Sequence, residues 1–138
     1  ELKSIWEEVK GGATREIKEG RTFFDNTHEP MIDVWNFSRV VGDERHGHAT
    51  PKPVDMMIRI MKSSLPEGGL CVEPFGGSGS TLIGAERAGR VCYTMELQPR
   101  YVDVIVKRWQ SETGRRARLE STGELFDDLA NKRVKTSG

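Results

Sequence analysis

The sequence predicts an α/β domain built around a mostly parallel sheet. Two short apolar runs, residues 70–72 and 91–95, have the length and composition of buried strands. Each run leads into a segment whose apolar residues fall at helical spacing, first residues 80–88 and then residues 99–109. Because strand and helix alternate, the strands are expected to lie parallel and to be joined by a right-handed crossover.

The predicted domain lies between two polar segments. Residues 1–31 are irregular, with one short helix expected over residues 2–9, where the apolar side chains fall at helical spacing. The α/β domain is expected to span residues 32–113 and to open with a strand over residues 32–37. Residues 114–138 are basic and polar, and they predict a weakly packed tail.

Two apolar stripes are expected to form much of the core. Pro53 is well placed to begin a helix, because proline is favoured in the first helical turn. The residues of these stripes recur at helical spacing. They are Met56, Met57, Ile60 and Met61 in the helix after Pro53, and Val102, Ile105, Val106 and Trp109 in the helix after Pro99.

Composition limits the classes of function. The 138 residues suit one domain whose core needs no disulfide or metal. Lys and Arg together number 21, as do Asp and Glu, so the chain lacks the basic excess of a protein that binds DNA by itself. Cys71 and Cys92 lie in apolar runs without metal-type spacing, which indicates buried free thiols and a reducing cytoplasm. No apolar run approaches the roughly 20 residues of a membrane span, and no membrane partner or metal is predicted.

A glycine-rich turn over residues 76–79 follows the first predicted strand and opens the next helix. Such a turn places backbone N–H groups at the carboxyl edge of the sheet, where doubly wound folds bind nucleotides. A phosphate loop has lysine before its hydroxyl residue, whereas here Gly79 is followed directly by Ser80. The alternative is a turn that only joins strand to helix.

Two glutamates follow the predicted strands. Glu96 lies 20 residues after Gly76, the spacing expected of a carboxylate that accepts hydrogen bonds from ribose hydroxyls. Glu73 precedes the turn and disfavours a phosphate ligand, because two anions would meet there. A cationic nucleoside such as S-adenosylmethionine, with its sulfonium and ammonium groups, suits both residues.

Three segments carry motifs that, taken together, are specific enough to indicate a protein family. They are His48–Pro53, Glu73–Thr81 and Met95–Tyr101. In that order they resemble the His-Pro-Thr-Gln-Lys-Pro, Asp-Pro-Phe-x-Gly-Ser-Gly-Thr-Thr and Glu-Leu-Asn/Asp-Pro-x-Tyr motifs of N6-adenine and N4-cytosine DNA methyltransferases. Their order resembles that of the permuted β group, in which the cofactor-binding half comes last. Within that group the motif residues are most similar to those of phage-associated enzymes. The resemblance covers residues 32–113 and implies a partial Rossmann-like, S-adenosylmethionine-dependent methyltransferase fold.

The chain departs from these motifs at several positions. Ala49 and Pro51 replace proline and glutamine, and Ser80 replaces threonine. Glu73 replaces the more common aspartate, which keeps the charge and lengthens the side chain. We expect the cofactor pocket to survive all of these changes.

The resemblance implies which residues hold S-adenosylmethionine. Thr50, Lys52 and Glu73 would lie at its methionine end, with Glu73 near the ammonium group. Glu96 would accept hydrogen bonds from the ribose hydroxyls, with Leu97 beside the adenine. The other expected site residues pack against the cofactor or line it with their backbone: Phe75, Gly76, Gly77, Ser78 and Gly79.

The catalytic motif of this family is missing from the sequence. Amino methyltransferases position the target base with Asp/Asn/Ser-Pro-Pro followed by an aromatic residue, which aligns the exocyclic nitrogen and stacks on the flipped base. The six prolines, at positions 30, 51, 53, 66, 74 and 99, include no adjacent pair, so no catalytic residue is expected here. Since the chain also begins without Met, we expect a fragment whose N-terminal catalytic half is missing. Apolar surface of its incomplete sheet would then have to be buried, for instance by homodimerisation or by exchange of secondary-structure elements between two chains.

The leading hypothesis is the cofactor-binding part of a site-specific DNA methyltransferase, bacterial or phage-encoded, that meets double-stranded DNA through the full-length protein. Adenine N6 is favoured over cytosine N4, because it is the commoner target in the family. One alternative is a non-catalytic module that binds S-adenosylmethionine or completes a partner chain. Another is a DNA-binding fragment that uses the basic residues of the tail: Arg115, Arg116, Arg118, Lys132, Arg133 and Lys135.

Overall fold

The chain folds into helices and short strands in the order of an α/β domain. The computed structural model describes residues 15–16, 23–24, 34–41 and 51–136. The elements in chain order are β1 (Arg15–Glu16), β2 (Phe23–Phe24), α1 (Val54–Ser64), β3 (Leu70–Glu73), α2 (Ser80–Arg87), β4 (Val91–Thr94), α3 (Pro99–Thr113) and α4 (Phe126–Thr136). β1 and β2 form a separate antiparallel pair that the sequence did not predict.

β3 and β4 form the parallel pair at the centre of the fold. Their register sets Leu70 opposite Val91 and Glu73 opposite Thr94, with α2 as the crossover between them. The prediction of an α/β fold with parallel strands is therefore confirmed. Because parallel strands end at the same edge, the segments that follow Glu73 and Thr94 emerge side by side.

One face of this strand pair packs against α1 and α2. Met61, Ala85 and Ala88 form the buried cluster, and Cys71 and Cys92 of the strands pack against it. The side chains that alternate with these cysteines lie on the opposite, open face. They are Leu70, Val72, Val91 and Tyr93, with exposed fractions of 50%, 62%, 46% and 65%.

α3 closes the unit against the glycine turn. Pro99 stands in its first turn, and Gly114 ends it in the left-handed conformation, with φ of 68°. Ile105 is its one buried residue and is only 5% exposed, whereas Val102, also expected in the core, is 39% exposed. Because Val102 belongs to the predicted stripe yet is partly exposed, that stripe is only partly covered by the described residues.

One further expectation differs from the structure. The described part of the predicted strand at residues 32–37 has no regular secondary structure. It is instead held by side-chain contacts, since the Arg59 guanidinium of α1 lies 4.3 Å from the centroid of Trp35, which meets Phe37 edge-to-face. The tail contains a helix that the sequence did not predict, α4, and Leu125 just before it and Phe126 and Leu129 within it are half-buried.

The helix expected over residues 2–9 lies outside the described residues. Among the helices that are described, none combines the length and apolar character required to cross a membrane.

Candidate functional site

The glycine turn between β3 and α2 requires glycine for its backbone shape. Gly77 and Gly79 have φ of 54° and 81°, a region that residues with a Cβ rarely adopt. The turn closes with a 2.8 Å hydrogen bond from the Gly79 N–H to the Gly76 carbonyl. A second bond of 2.8 Å, from the Gly76 N–H to the Met95 carbonyl, ties the turn to the end of β4.

Close packing on β4 and α3 requires the glycine at position 76. A Cβ added there would lie 2.7 Å from Thr94 Oγ1 and 2.8 Å from Ile105 Cδ1. At Gly79 an added Cβ would lie 3.3 Å from Ile105 Cγ1. From the sequence these glycines were explained by the approach of a ligand, and the structure adds the packing of the turn against α3.

Glu73 ends β3 with both carboxylate oxygens bonded to its own turn. Its Oε1 accepts a hydrogen bond of 2.8 Å from the Phe75 N–H. Its Oε2 accepts one of 2.9 Å from the hydroxyl of Thr81 in the first turn of α2. The long side chain is therefore folded back over the turn.

Glu96 follows β4 and reaches across to the same turn. Its Oε2 accepts a hydrogen bond of 2.8 Å from the Gly77 N–H, and its Oε1 accepts one of 2.8 Å from the Gln98 N–H. The carboxylate of Glu96 therefore joins the glycine turn to the segment that leads into α3.

These groups line one cavity of about 470 Å³ at the strand ends. Its volume lies in the range of roughly 300–1,000 Å³ typical of pockets for small ligands. It contains Glu73, Glu96 and one cation, Lys52, beside the 85% exposed ring of Phe75. The full lining is Pro51, Lys52, Met57, Glu73, Phe75, Gly76, Gly77, Ser78, Ser80, Thr81 and Glu96.

Seven of the ten residues expected at the cofactor therefore meet in this cavity. Of the other three, Gly79 is buried behind the turn, Leu97 is 90% exposed and outside the lining, and Thr50 lies outside the described residues. Thr81 and Met57 were not singled out as site residues from the sequence. Thr81 ends the glycine motif, so a signal was present, whereas nothing in the sequence alone brings Met57 to the strand ends.

Two larger cavities lie elsewhere. One of about 930 Å³ runs along α1 and α3 and shares Pro51 and Lys52 with the smaller cavity. The other, of about 830 Å³, lies between β4 and α3 and includes Glu96. The cavity of about 470 Å³ is the candidate site, because it alone of the three is lined by the glycine turn and by both strand-end glutamates.

The fold and the cavity define a class of protein. Parallel strands, a glycine turn opening a helix and a carboxylate after the second strand are the parts with which α/β proteins bind nucleoside cofactors. Known proteins then identify the family. The family model for N6- and N4-type methyltransferases, described as DNA methylase, matches residues 3–107. The chain belongs to this family, and the expected family is confirmed.

Curated relatives agree with this assignment. The type II methyltransferase M.ScaI of Streptomyces caespitosus is 33% identical over 86 residues, which cover 58% of this chain and 28% of the relative. The DNA adenine methyltransferase YhdJ of Escherichia coli K12 is 30% identical over 101 residues, which cover 67% of this chain and 34% of the relative. The chain thus spans about a third or less of the length of these relatives.

A solved structure supports the fold. The M1.HpyAVI–SAM complex superposes with a TM-score of 0.55 and 22% sequence identity, covering 67% of this chain and 46% of that chain. At this identity the likeness shows the fold alone, so the expectation of a methyltransferase-type α/β fold is confirmed.

Proposed function

We propose that this chain binds S-adenosylmethionine and is the cofactor-binding part of a DNA methyltransferase. The observation that carries the proposal is the single cavity with Glu73, Glu96 and Lys52 around the backbone of the glycine turn. S-adenosylmethionine has two cationic groups and one carboxylate, and the cavity offers the complementary set of two carboxylates and one ammonium group. The charged groups that line the cavity therefore fit this cofactor.

Each part of the cofactor has a counterpart in the cavity. Lys52 would pair with the cofactor carboxylate, and Glu73 would attract its ammonium group. Glu96 would accept hydrogen bonds from the ribose hydroxyls, as a carboxylate after the second strand does in such folds. Phe75 offers an exposed apolar ring, and Thr50 and Leu97 remain proposed contacts on the family resemblance alone.

The bound cofactor would supply an electrophilic methyl group, and the residues of this chain would hold and orient it. Alignment of the target nitrogen would come from another segment, because the chain has no adjacent prolines to form the base-positioning motif. We propose adenine N6 as the target, since a relative over two-thirds of this chain is named a DNA adenine methyltransferase.

The open face of β3 and β4 supports the proposal of a missing half. Its four apolar side chains are each at least 46% exposed, which is unusual for strands at the centre of an α/β domain. We propose that the catalytic half covers this face in the full-length enzyme and that the isolated chain self-associates through it. Light scattering should give a mass above one chain for the parent and one chain for Val72→Lys. A single-chain mass for the parent at every concentration would contradict self-association.

DNA would be bound by the full-length protein rather than by the basic tail of residues 114–138 alone. The described cations of the tail are engaged within the chain. Arg115 pairs with Glu86, and Arg118 donates a 3.0 Å hydrogen bond to the Gly123 carbonyl. Lys132 pairs with Glu124. These contacts disfavour the alternative of a stand-alone DNA-binding fragment.

The second candidate function is a non-catalytic module that binds the cofactor or completes a partner chain. The lack of an adjacent proline pair is the observation that favours it. One experiment separates the candidates from each other. The chain is dialysed against S-adenosylmethionine labelled in its methyl group and then incubated with DNA.

We expect retention of label by the chain without N6-methyladenine or N4-methylcytosine among the DNA nucleosides. The same assay on the chain extended by its natural upstream sequence should give N6-methyladenine. Failure of the extended protein to methylate would favour the non-catalytic module, and failure of the chain to retain label would overturn the proposed function.

A further inference from the structure

The Thr81 hydroxyl touches two groups of the cavity. It lies 2.9 Å from Glu73 Oε2 and 3.5 Å from the sulfur of Met57. A hydroxyl has a single proton, and a carboxylate is a much stronger acceptor than a thioether. The proton therefore goes to Glu73, and the sulfur packs against the oxygen.

This bond holds the carboxylate of a flexible side chain. Glutamate has three side-chain torsions, and the Phe75 N–H fixes only one of the two oxygens of Glu73. Thr81 is the second residue of α2, so its own side chain is carried by the helix. Its branched Cβ further limits its rotamers. Thr81 thus connects the carboxylate of the flexible Glu73 side chain to helix α2.

We propose that Thr81 is a positioning residue that fixes Glu73 where it meets the cationic methionine end of S-adenosylmethionine. This inference rests on the proposed function, because it assigns a role within the same cavity. Thr81 itself would contact the Glu73 carboxylate rather than the transferable methyl group of the cofactor. Its removal should therefore weaken only those ligands that carry the cationic amino-acid portion.

The test compares two ligands and two substitutions. S-adenosylmethionine carries the amino-acid portion, and 5′-methylthioadenosine shares the adenosine but lacks it. Thr81→Val keeps the shape and removes the hydroxyl, while Thr81→Ser keeps the hydroxyl. Calorimetry should show S-adenosylmethionine bound about tenfold more weakly by Thr81→Val, as expected for a lost hydrogen bond to a charged group. Binding of 5′-methylthioadenosine should stay unchanged, and Thr81→Ser should bind both ligands like the parent.

A double-mutant cycle completes the test. In a Glu73→Ala background, Thr81→Val should cause no further loss, because the group that it positions is absent. Equal weakening by Thr81→Val and Thr81→Ser, or equal weakening of both ligands, would overturn the inference in favour of a packing role. Parent-like binding by Thr81→Val would also overturn it. If the parent chain binds neither ligand, the proposed function fails first, and this inference fails with it.

Discussion

The Gly77 N–H donates a hydrogen bond of 2.8 Å to Glu96 Oε2 and joins the segments that follow β3 and β4. The two residues are 19 positions apart, and each belongs to a different motif. The carboxylate expected to accept ribose hydroxyls therefore also holds the glycine turn in place. The two motifs form one physical unit, so a change at Glu96 should affect both the ligand contacts and the shape of the turn.

Replacement of Gly84 by alanine should destabilise the chain, although alanine is favoured over glycine in helices by about 1 kcal/mol. An added Cβ would lie 2.6 Å from Met57 Cβ and 3.3 Å from the Ile58 nitrogen, so α1 and α2 would have to separate. Overpacking of this kind costs about 1–3 kcal/mol, which exceeds the gain in helix propensity.

Urea unfolding should accordingly show a net loss of up to about 2 kcal/mol in the free energy of unfolding. Ser111→Ala, at an exposed position in α3, is the matched control and should leave stability unchanged or slightly raised. A stabilised Gly84→Ala variant would show that α1 does not pack closely on α2.

The contact between α2 and α3 should make a small contribution to stability that depends on pH. Arg87 donates two hydrogen bonds, of 2.7 and 2.9 Å, to the carboxylate of Glu112. The hydrogen bonds from Arg87 lower the pKa of Glu112 below its ordinary value. The contribution is therefore present above that ordinary value and is lost as the pH falls through the lowered pKa.

For a solvent-exposed pair the contribution is about 0.2–1 kcal/mol. Glu112→Gln should lower the free energy of urea unfolding by about that much at neutral pH, and by progressively less as the pH falls through the lowered pKa of Glu112. Glu120→Gln, an exposed glutamate in the tail, serves as the control for loss of one negative charge. If the difference in the free energy of unfolding between Glu112→Gln and the parent persists unchanged in acid, it does not come from the Arg87–Glu112 pair.

The paired cysteines should resist thiol reagents while the chain is folded. Cys71 and Cys92 face each other across β3 and β4 as free thiols. Burial, with a smaller effect of neighbouring Cys71, raises the pKa of Cys92 to about 12, and burial also raises the pKa of Cys71. Only the thiolate reacts, so little of the reactive form exists at neutral pH.

Labelling with Ellman's reagent at neutral pH should therefore be slower in buffer than in urea for both thiols, and at least about a hundredfold slower for Cys92. The folded rate should rise as the pH is raised. Cys71→Ala separates the two thiols, since the remaining slow reaction then belongs to Cys92. Reaction of both thiols in the folded chain at the rate of an unfolded one would contradict their half-buried position against the core.

The central part of the fold could be predicted from sequence because its signals are local. The apolar runs at residues 70–72 and 91–95 became β3 and β4, and the helix expected over residues 80–88 became α2. Pro99 and Gly114 carry the intrinsic backbone preferences of a helix start and a helix end, and α3 lies between them.

Features that depend on contacts between distant residues were not predictable in the same way. The segment at residues 34–37 has the composition of a strand, yet its Trp35 packs beneath Arg59 of α1. α4 was missed, because its apolar residues are few and its contacts with α3 involve polar groups such as Gln110 and Asp127. Within the site, the motifs identified Glu73, but only the structure shows that Thr81 holds its carboxylate.

Calorimetric titration of S-adenosylmethionine into the parent chain and into Glu96→Ala tests the central claim most directly. Loss of charged hydrogen bonds should weaken binding by about 1.5–3 kcal/mol, or roughly ten- to a hundredfold. Glu120→Ala removes an exposed carboxylate that does not line the cavity, and this variant should bind like the parent. We predict binding to the parent and the stated loss in Glu96→Ala. A folded parent that does not bind, or a Glu96→Ala variant that binds equally well, would contradict the assignment of this cavity to the cofactor.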